Sequence, residues 1–150
     1  MLTSEIIQHS LLLVTSFEKA TGKQLIPLSA NSTETAETLY AAPFVLVSHG
    51  TEADPVFNYA NLTAQQLWEL DWKNFIKMPS RLSAEKISQA ERQAMLEEAR
   101  KNGYISNYQG VRISSTGRRF IIKNAILWNI YDEQDIYCGQ AATFAQWEFL

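Results

Sequence analysis

The most constraining feature of the chain is a series of three β-rich segments at its carboxyl end. These segments span 104–114, 119–131 and 136–147, and polar turns at 115–117 and 132–135 separate them. Extended segments joined by such short turns pair as antiparallel neighbours. The sequence therefore predicts three consecutive antiparallel strands.

The middle segment is apolar on both of its alternating sides. One parity holds Phe120, Ile122, Ile126, Trp128 and Ile130, and the other holds Ile121, Ala125 and Leu127. Because successive side chains of a strand point to opposite faces, we expect both faces of the sheet to be covered. Central helices are predicted to cover one face, and the amino-terminal helix or a partner subunit the other.

Shorter elements precede these strands. Apolar periodicity predicts helices over 5–20 and 33–42, and β-prone runs at 44–47 and 56–59 predict a hairpin. Helix-start signals then predict a group of short helices before Gly103. The signals are Asn61, Thr63 with Gln66, Asp71, and Ser88 with Glu91. Helices laid on a curved sheet leave a hollow that suits a small ligand or a partner segment.

Composition favours one globular domain that does not bind nucleic acid or an anionic membrane. The chain has 150 residues, of which 46% are hydrophobic, and a net charge of −3. This length supports a full core, and the charge provides no field that attracts nucleic acid or an anionic membrane. The apolar runs are far shorter than the roughly 20 residues that span a bilayer, and the amino terminus does not resemble a signal peptide. We expect a cytoplasmic protein.

Two strings resemble the PAS superfamily of sensor domains. NYAN (58–61) resembles the start of the first central helix of PAS domains, and YDEQD (131–135) resembles the acidic turn before their last strand. LDW (70–72) departs from the glycine-tyrosine turn that is usual there. The resemblance implies an α+β fold: a five-stranded antiparallel sheet of order 2-1-5-4-3, central helices on one face and an amino-terminal helical extension.

A closer resemblance is to the MEKHLA domain, a PAS-like module of small stand-alone bacterial and algal proteins and of plant class III homeodomain–leucine zipper transcription factors. The strings that carry it are SHGT (48–51), DPVFNY (54–59), PSR (79–81), GRRF (117–120) and GQAA (139–142). The resemblance covers about the last two-thirds of the chain and implies a PAS-like fold with a sensing, binding or dimer-modulating role. We therefore expect a PAS-like domain over 43–150, preceded by a helical extension over 1–42 that caps the domain or pairs two copies.

The expected ligand site lies between the inner sheet face and the helices over 64–102. Its candidate residues are Asn58, Asn124, Gln140, His49, Arg81, Arg112, Trp68 and Trp128. Asn124 is the sharpest anomaly, because its parity places an amide in an apolar layer, where it needs a ligand, a water or a side chain such as Gln140 as partner. The plainer alternatives are that His49 holds a turn, that the two arginines form ion pairs, and that the tryptophans fill the core.

The leading hypothesis is a non-catalytic regulatory domain that forms a homodimer and binds a small ligand or a regulatory protein. No resident cofactor is predicted, although a noncovalent flavin or another small organic ligand stays open. The scattered His9, His49 and Cys138 lack metal-ligand spacing, so no metal site is predicted. Two rivals stay open: a cone-shaped α+β enzyme of the isomerase or dehydratase class that uses His49 and Asp54, and an adaptor whose hollow is filled by tryptophans.

Overall fold

The computed structural model describes residues 2–27, 29–84 and 86–150, with only the backbone described over 86–88. The elements follow in the order α1 (Ser4–Thr21), α2 (Ser32–Tyr40), β1 (Val45–His49), β2 (Phe57–Ala60), α3 (Leu62–Trp68), α4 (Trp72–Phe75), a 3₁₀ helix (Ser80–Ser83), α5 (Lys86–Asn102), β3 (Tyr104–Ile113), β4 (Arg119–Tyr131), β5 (Tyr137–Phe144) and β6 (Gln146–Phe149).

The strands form one antiparallel sheet in the order β2-β1-β5-β4-β3. The β1–β2 hairpin therefore lies beside β5, and the long β4 lies between β5 and β3. This order is the one that the PAS resemblance implies, so the predicted fold class is confirmed.

The last predicted strand divides into two. β5 ends at Phe144, and after Ala145 the chain enters β6, which also pairs with β4. β5 pairs with β4 over 126–131, whereas β6 pairs with it over 120–123. The sheet thus has a sixth strand that the sequence did not predict, and Asn124 lies where β4 changes partner.

Asn124 also interrupts the alternation of β4. Its φ of 52° is left-handed, and one residue of β3, between Tyr108 and Gly110, lies opposite the two residues Lys123 and Asn124. Such a bulge adds one residue to one strand and shifts the parity of every residue beyond it. The prediction that Asn124 points into an apolar layer is therefore wrong. The side chain is exposed, and its Nδ2 donates to Gln146 Oε1 at 2.9 Å.

The bulge divides the apolar residues of β4 between two cores. Phe120, Ile122, Ala125 and Leu127 belong to an inner core beneath α3, α4 and α5. Ile126, Trp128 and Ile130 belong to an outer core beneath α1. The expectation that all five residues from Phe120 to Ile130 share a face is wrong, whereas the expectation that both faces are covered is met.

The amino-terminal helix covers the outer face within a single chain. Leu13, Val14 and Phe17 of α1 are buried in the outer core, and the Phe17 ring packs edge-on against Trp128 at 4.8 Å between centroids. α1 therefore does what the sequence assigned to this helix or to a partner subunit. The division of the chain at residue 42 stays a prediction.

Helix caps follow the sequence signals at most ends. Gly22 ends α1 at φ 73°, and the side chains of Asn31 and Asp71 cap α2 and α4. Of the two predicted caps of α3, Asn61 is confirmed, whereas the Thr63–Gln66 capping box is wrong because the Thr63 hydroxyl donates to the Ala42 carbonyl. α5 begins at Lys86, before Ser88, whose side chain lies outside the described part. Of the helices over the described ranges, none has the length and apolarity needed to cross a membrane.

Candidate functional site

A pocket of about 50 Å³ lies between the inner sheet face and α5. Four of the eight candidate residues line it, namely His49, Trp68, Arg112 and Gln140. Most of the remaining wall is apolar and comes from Val47, Phe57, Leu96, Ile122, Leu127, Ala142 and Phe144. The sheet and the helices thus form the hollow that the sequence predicts, and a few polar groups reach into it.

His49 ends β1 at the wall of this pocket. It is 6% exposed, and its Nδ1 donates to the Gly50 carbonyl at 2.9 Å. In the described structure its Nε2 is buried without a hydrogen-bond partner. Burial is the largest cause and lowers the pKa of the imidazole below its usual value. The hydrogen bond to the Gly50 carbonyl opposes this effect, and the nearby Arg92 guanidinium adds to it. His49 is therefore neutral near pH 7, and its Nε2 presents a lone pair.

Arg112 reaches the pocket from β3 and is 6% exposed. Its guanidinium donates to the Val111 carbonyl at 2.8 Å and to the Tyr108 hydroxyl at 3.1 Å. Gly110 lies between these side chains, and a Cβ there would lie 2.4 Å from the Tyr108 hydroxyl oxygen. Gly110 therefore lets the Tyr108 ring lie across the strand and hold Arg112. Among the described residues, the hydrogen-bond partners of Arg112 are thus a carbonyl and a phenol.

Arg92 enters the same pocket from α5. It is 7% exposed, and burial, with the positive charge of Arg112 as a second cause, lowers its pKa to about 10. Sequence reasoning missed this residue. The signal was present, because Arg92 precedes Leu96 by four positions and Ala99 by seven, which places it on the apolar side of the helix.

Gln140 links the pocket to α5. Its Nε2 donates to the Leu96 carbonyl at 2.8 Å and to Asn129 Oδ1 at 3.1 Å. Asn129 in turn donates to the carbonyls of Ala99 and Arg100, at 3.0 and 3.2 Å. Two buried amides on neighbouring strands thus hold the last two turns of α5 against the sheet. The sequence suggested Gln140 as a partner for Asn124, but the Asn124 amide donates to Gln146 instead.

A larger cleft of about 380 Å³ adjoins the pocket, since His49, Arg92, Leu96 and Gln140 line both. Arg81 lies in this cleft, where its Nε contacts both carboxylate oxygens of Asp54 at 3.2 Å. Both side chains are about half exposed. The ion-pair interpretation of Arg81 is therefore confirmed, and Asp54 is engaged by Arg81.

Three candidates lie away from the pocket. Asn58 accepts a hydrogen bond from Ser48, whose oxygen also contacts His9 of α1. Asn124 is exposed at the β4 bulge. Trp128 is fully buried in the outer core, against Phe17. The fold therefore brings together only part of the predicted set.

Cys138 and the histidines do not assemble a metal site. Over the described residues, no group of three or more histidine, cysteine or acidic side chains is placed to hold a metal ion. The Cys138 thiol donates to the Ile130 carbonyl at 3.5 Å and packs at the outer core, away from the pocket.

The profile of one protein family, the MEKHLA domain, matches residues 7–149. The chain belongs to the MEKHLA domain family. This finding confirms the predicted family, and the match includes residues of α1 and α2 as well as the sheet. No curated protein matches this MEKHLA chain.

Solved structures similar to this MEKHLA protein include PAS domains and a Light-Oxygen-Voltage receptor. A PAS domain from Colwellia psychrerythraea has a TM-score of 0.67 at 13% identity, covering 79% of this chain and 95% of that one. An RNA-binding Light-Oxygen-Voltage receptor has a TM-score of 0.65 at 14% identity, over 81% of this chain and 34% of the receptor. A PAS domain from a two-component sensor histidine kinase has a TM-score of 0.58 at 16% identity, over 76% and 91%. At these identities the likeness establishes a PAS-like fold.

Proposed function

We propose that this MEKHLA protein is a regulatory sensory domain that binds a small organic ligand between the sheet and α5. The observation that carries the proposal is the pocket itself, in which an apolar wall surrounds buried polar groups, among them His49, Arg112 and Gln140. Pockets of this kind, mostly apolar with a few convergent polar groups, are the usual form of small-molecule sites. Among the similar structures are a sensor histidine kinase domain and a light receptor, which is consistent with a sensory role.

The contacts of Gln140 supply a route from ligand to output. Gln140 lines the pocket and holds α5 through the Leu96 carbonyl and Asn129. A ligand that engages the Gln140 amide changes the bonds available to α5. We propose that the position of α5 is the regulated feature, read by a regulatory protein or by a second copy in a cytoplasmic homodimer.

The size of the pocket favours a small ligand over a flavin. An apolar cavity of about 150 Å³ accepts benzene, whereas this pocket measures about 50 Å³. The three fused rings of a flavin do not fit such a space. Cys138 also lies outside the pocket lining, so a flavin–thiol bond has no support in this arrangement.

The rival enzyme has weaker support. Asp54 is exposed and pairs with Arg81, and the Nδ1 of His49 is engaged by a carbonyl. An acid–base pair needs the carboxylate within hydrogen-bond reach of the imidazole to orient it. The strand order is that of the sensor fold and not that of the cone-shaped enzyme. We therefore propose a non-catalytic role.

Native mass spectrometry and an absorption spectrum of protein purified from cells test the proposal. We expect a bound small molecule that is lost in the pocket-filling variant Ala142→Leu and retained in Ala94→Leu. Ala142 lines the pocket, whereas Ala94 is exposed on α5. If both variants retain the same molecule, it binds elsewhere and the pocket proposal fails. A protein that carries no molecule, and in which Ala142→Leu alters neither binding of added ligands nor partner recognition, supports the adaptor instead.

A further inference from the structure

Two arginines are buried in one small pocket. Arg92 comes from α5 and Arg112 from β3, and both are more than nine-tenths buried. The two side chains are close enough for the charge of Arg112 to contribute to the lowered pKa of Arg92. Two like charges taken out of water repel each other and lose hydration, so the arrangement is costly unless an anion lies between them.

The described part of the chain places no anion there. The pocket lining contains no aspartate or glutamate over the described residues. The acidic residues of the adjoining cleft have other partners: Asp54 pairs with Arg81, Glu97 pairs with Arg100, and Glu52 accepts from the Val56 amide. All three are exposed. The described chain thus supplies the cations of an ion pair without the anion.

We propose that the missing anion is the ligand, and that the pocket binds a small organic carboxylate between Arg92 and Arg112. This inference rests on the proposed function and names its ligand class. Guanidinium groups present planar sets of N–H donors that match the two oxygens of a carboxylate. The indole N–H of Trp68, buried without a partner in the described structure, adds a donor in the same lining.

The rest of the pocket favours a carboxylate ligand with an apolar tail over a ligand that carries a second charge. Val47, Leu96, Ile122 and Phe144 are among the residues that surround the space beside the arginines. Its volume of about 50 Å³ is a third of the roughly 150 Å³ that accepts the six carbons of benzene, so it has room for a tail of about two carbons. The carboxylate then lies toward Arg92, which also lines the adjoining cleft. A straight-chain monocarboxylate such as propionate meets both conditions, whereas inorganic phosphate places charge against the apolar wall.

The test compares propionate with its neutral isostere propionamide, by calorimetry and by NMR of the arginine Nε–H signals. We expect saturable binding of propionate, at least about tenfold tighter than that of propionamide or phosphate. Arg92→Gln and Arg112→Gln are each expected to weaken propionate binding by about tenfold or more. Arg100→Gln serves as the matched control, because Arg100 is exposed on the same helix and is paired with Glu97.

A stability measurement separates ligand binding from a structural role. Arg92→Met removes a buried charge and keeps an apolar chain, so the ligand-free protein is expected to keep or raise its Tm, while propionate no longer raises it. A lowered Tm together with unchanged propionate binding overturns the inference. Glu85, which lies outside the described residues, is the acidic residue to test as an internal counterion. Loss of stability together with stronger propionate binding in Glu85→Gln also overturns it.

The outcomes distinguish this inference from the proposed function. If propionamide binds as tightly as propionate, and Ala142→Leu abolishes both, the pocket senses neutral ligands and only the carboxylate inference fails. If neither probe binds and the protein from cells carries no molecule, both fail. If Ala142→Leu leaves propionate binding intact, the carboxylate binds outside the pocket and the inference fails.

Discussion

His9 shows how one partly buried side chain makes folding depend on pH. Its Nε2 lies 2.8 Å from Ser48 Oγ, and because the Ser48 hydroxyl donates to Asn58, it accepts from His9. Burial lowers the pKa of His9 to about 4. The His9 imidazole is therefore protonated below about pH 6.5 in the unfolded chain, but only below about pH 4 in the folded chain.

We predict that stability is full above about pH 6.5 and falls as the pH drops from 6.5 toward 4, by up to about 3 kcal/mol from His9. His9→Gln keeps a donor for Ser48 and removes the titration, so its stability should depend less on pH in that window. Urea unfolding at a series of pH values measures the difference. His49, whose pKa is also lowered, leaves a remaining slope in the variant. Equal slopes for both proteins would contradict the assignment.

Gly139 is fixed by the backbone of the neighbouring strand. Its φ is 145°, and a Cβ there would lie 2.0 Å from the His49 carbonyl oxygen. Gly139→Ala combines a strained conformation with a displaced backbone at the pocket wall, so we expect a loss of about 2–5 kcal/mol. Gly103→Ala is the control, because Gly103 has a φ of 98° but no heavy atom within 4 Å of the added Cβ. It should lose only about 1–2 kcal/mol in urea unfolding. Equal losses would show that the close approach has no energetic effect.

At the scale of elements, β4 shows what sequence patterns reveal and what they miss. Alternating apolar residues predicted the strand and the cover on both faces, and the strand order followed from the family resemblance. The bulge at Asn124 was not predicted, because a prediction from alternating residues assumes that the alternation is unbroken along the strand. The position of the bulge also depends on where β4 stops pairing with β5 and starts pairing with β6. Arg92 was missed for a related reason. A long charged side chain on the apolar side of a helix is usually expected to extend its charged group into water. The burial of Arg92 is evident only once the pocket beneath α5 is known.

The bulge makes a prediction about Asn124 itself. If the residue is required for its left-handed backbone, Asn124→Gly should keep or raise stability, because glycine adopts φ 52° freely. Asn124→Val should lose about 1–2 kcal/mol, because a β-branched residue is strained there. Chemical denaturation of the two variants gives the comparison. Ligand binding should be unchanged in Asn124→Gly, since the side chain is exposed and outside the pocket lining. Loss of ligand binding in Asn124→Gly would contradict this prediction and show that the Asn124 side chain contributes to the binding site.

At the scale of the whole molecule, one sheet separates two cores with different tasks. The inner core carries the pocket and α5, and the outer core joins α1 to β1, β4 and β5. Trp128 is fully buried in the outer core, yet Asn129, the next residue along β4, holds α5 on the inner side. The residue that packs against α1, Trp128, is therefore adjacent in sequence to Asn129, the residue that positions α5. This arrangement makes α1 a structural part of the domain, which agrees with the expectation that this helix or a partner subunit covers the outer face.

Phe17→Ala tests this integration. Phe17 is 4% exposed and packs on Trp128, so its truncation should cost about 3–5 kcal/mol, a large share of the total stability of an ordinary domain. Leu11→Ala is the matched control, because Leu11 lies on the same helix but is only half-buried, and its loss should be about 1 kcal/mol. Urea unfolding followed by tryptophan fluorescence gives both values, and sedimentation gives the oligomeric state. If α1 served only to pair two copies, Phe17→Ala would lower the sedimentation coefficient and leave monomer unfolding unchanged. A stability loss at unchanged sedimentation places α1 in the core of each chain, so that any homodimer must form through another surface.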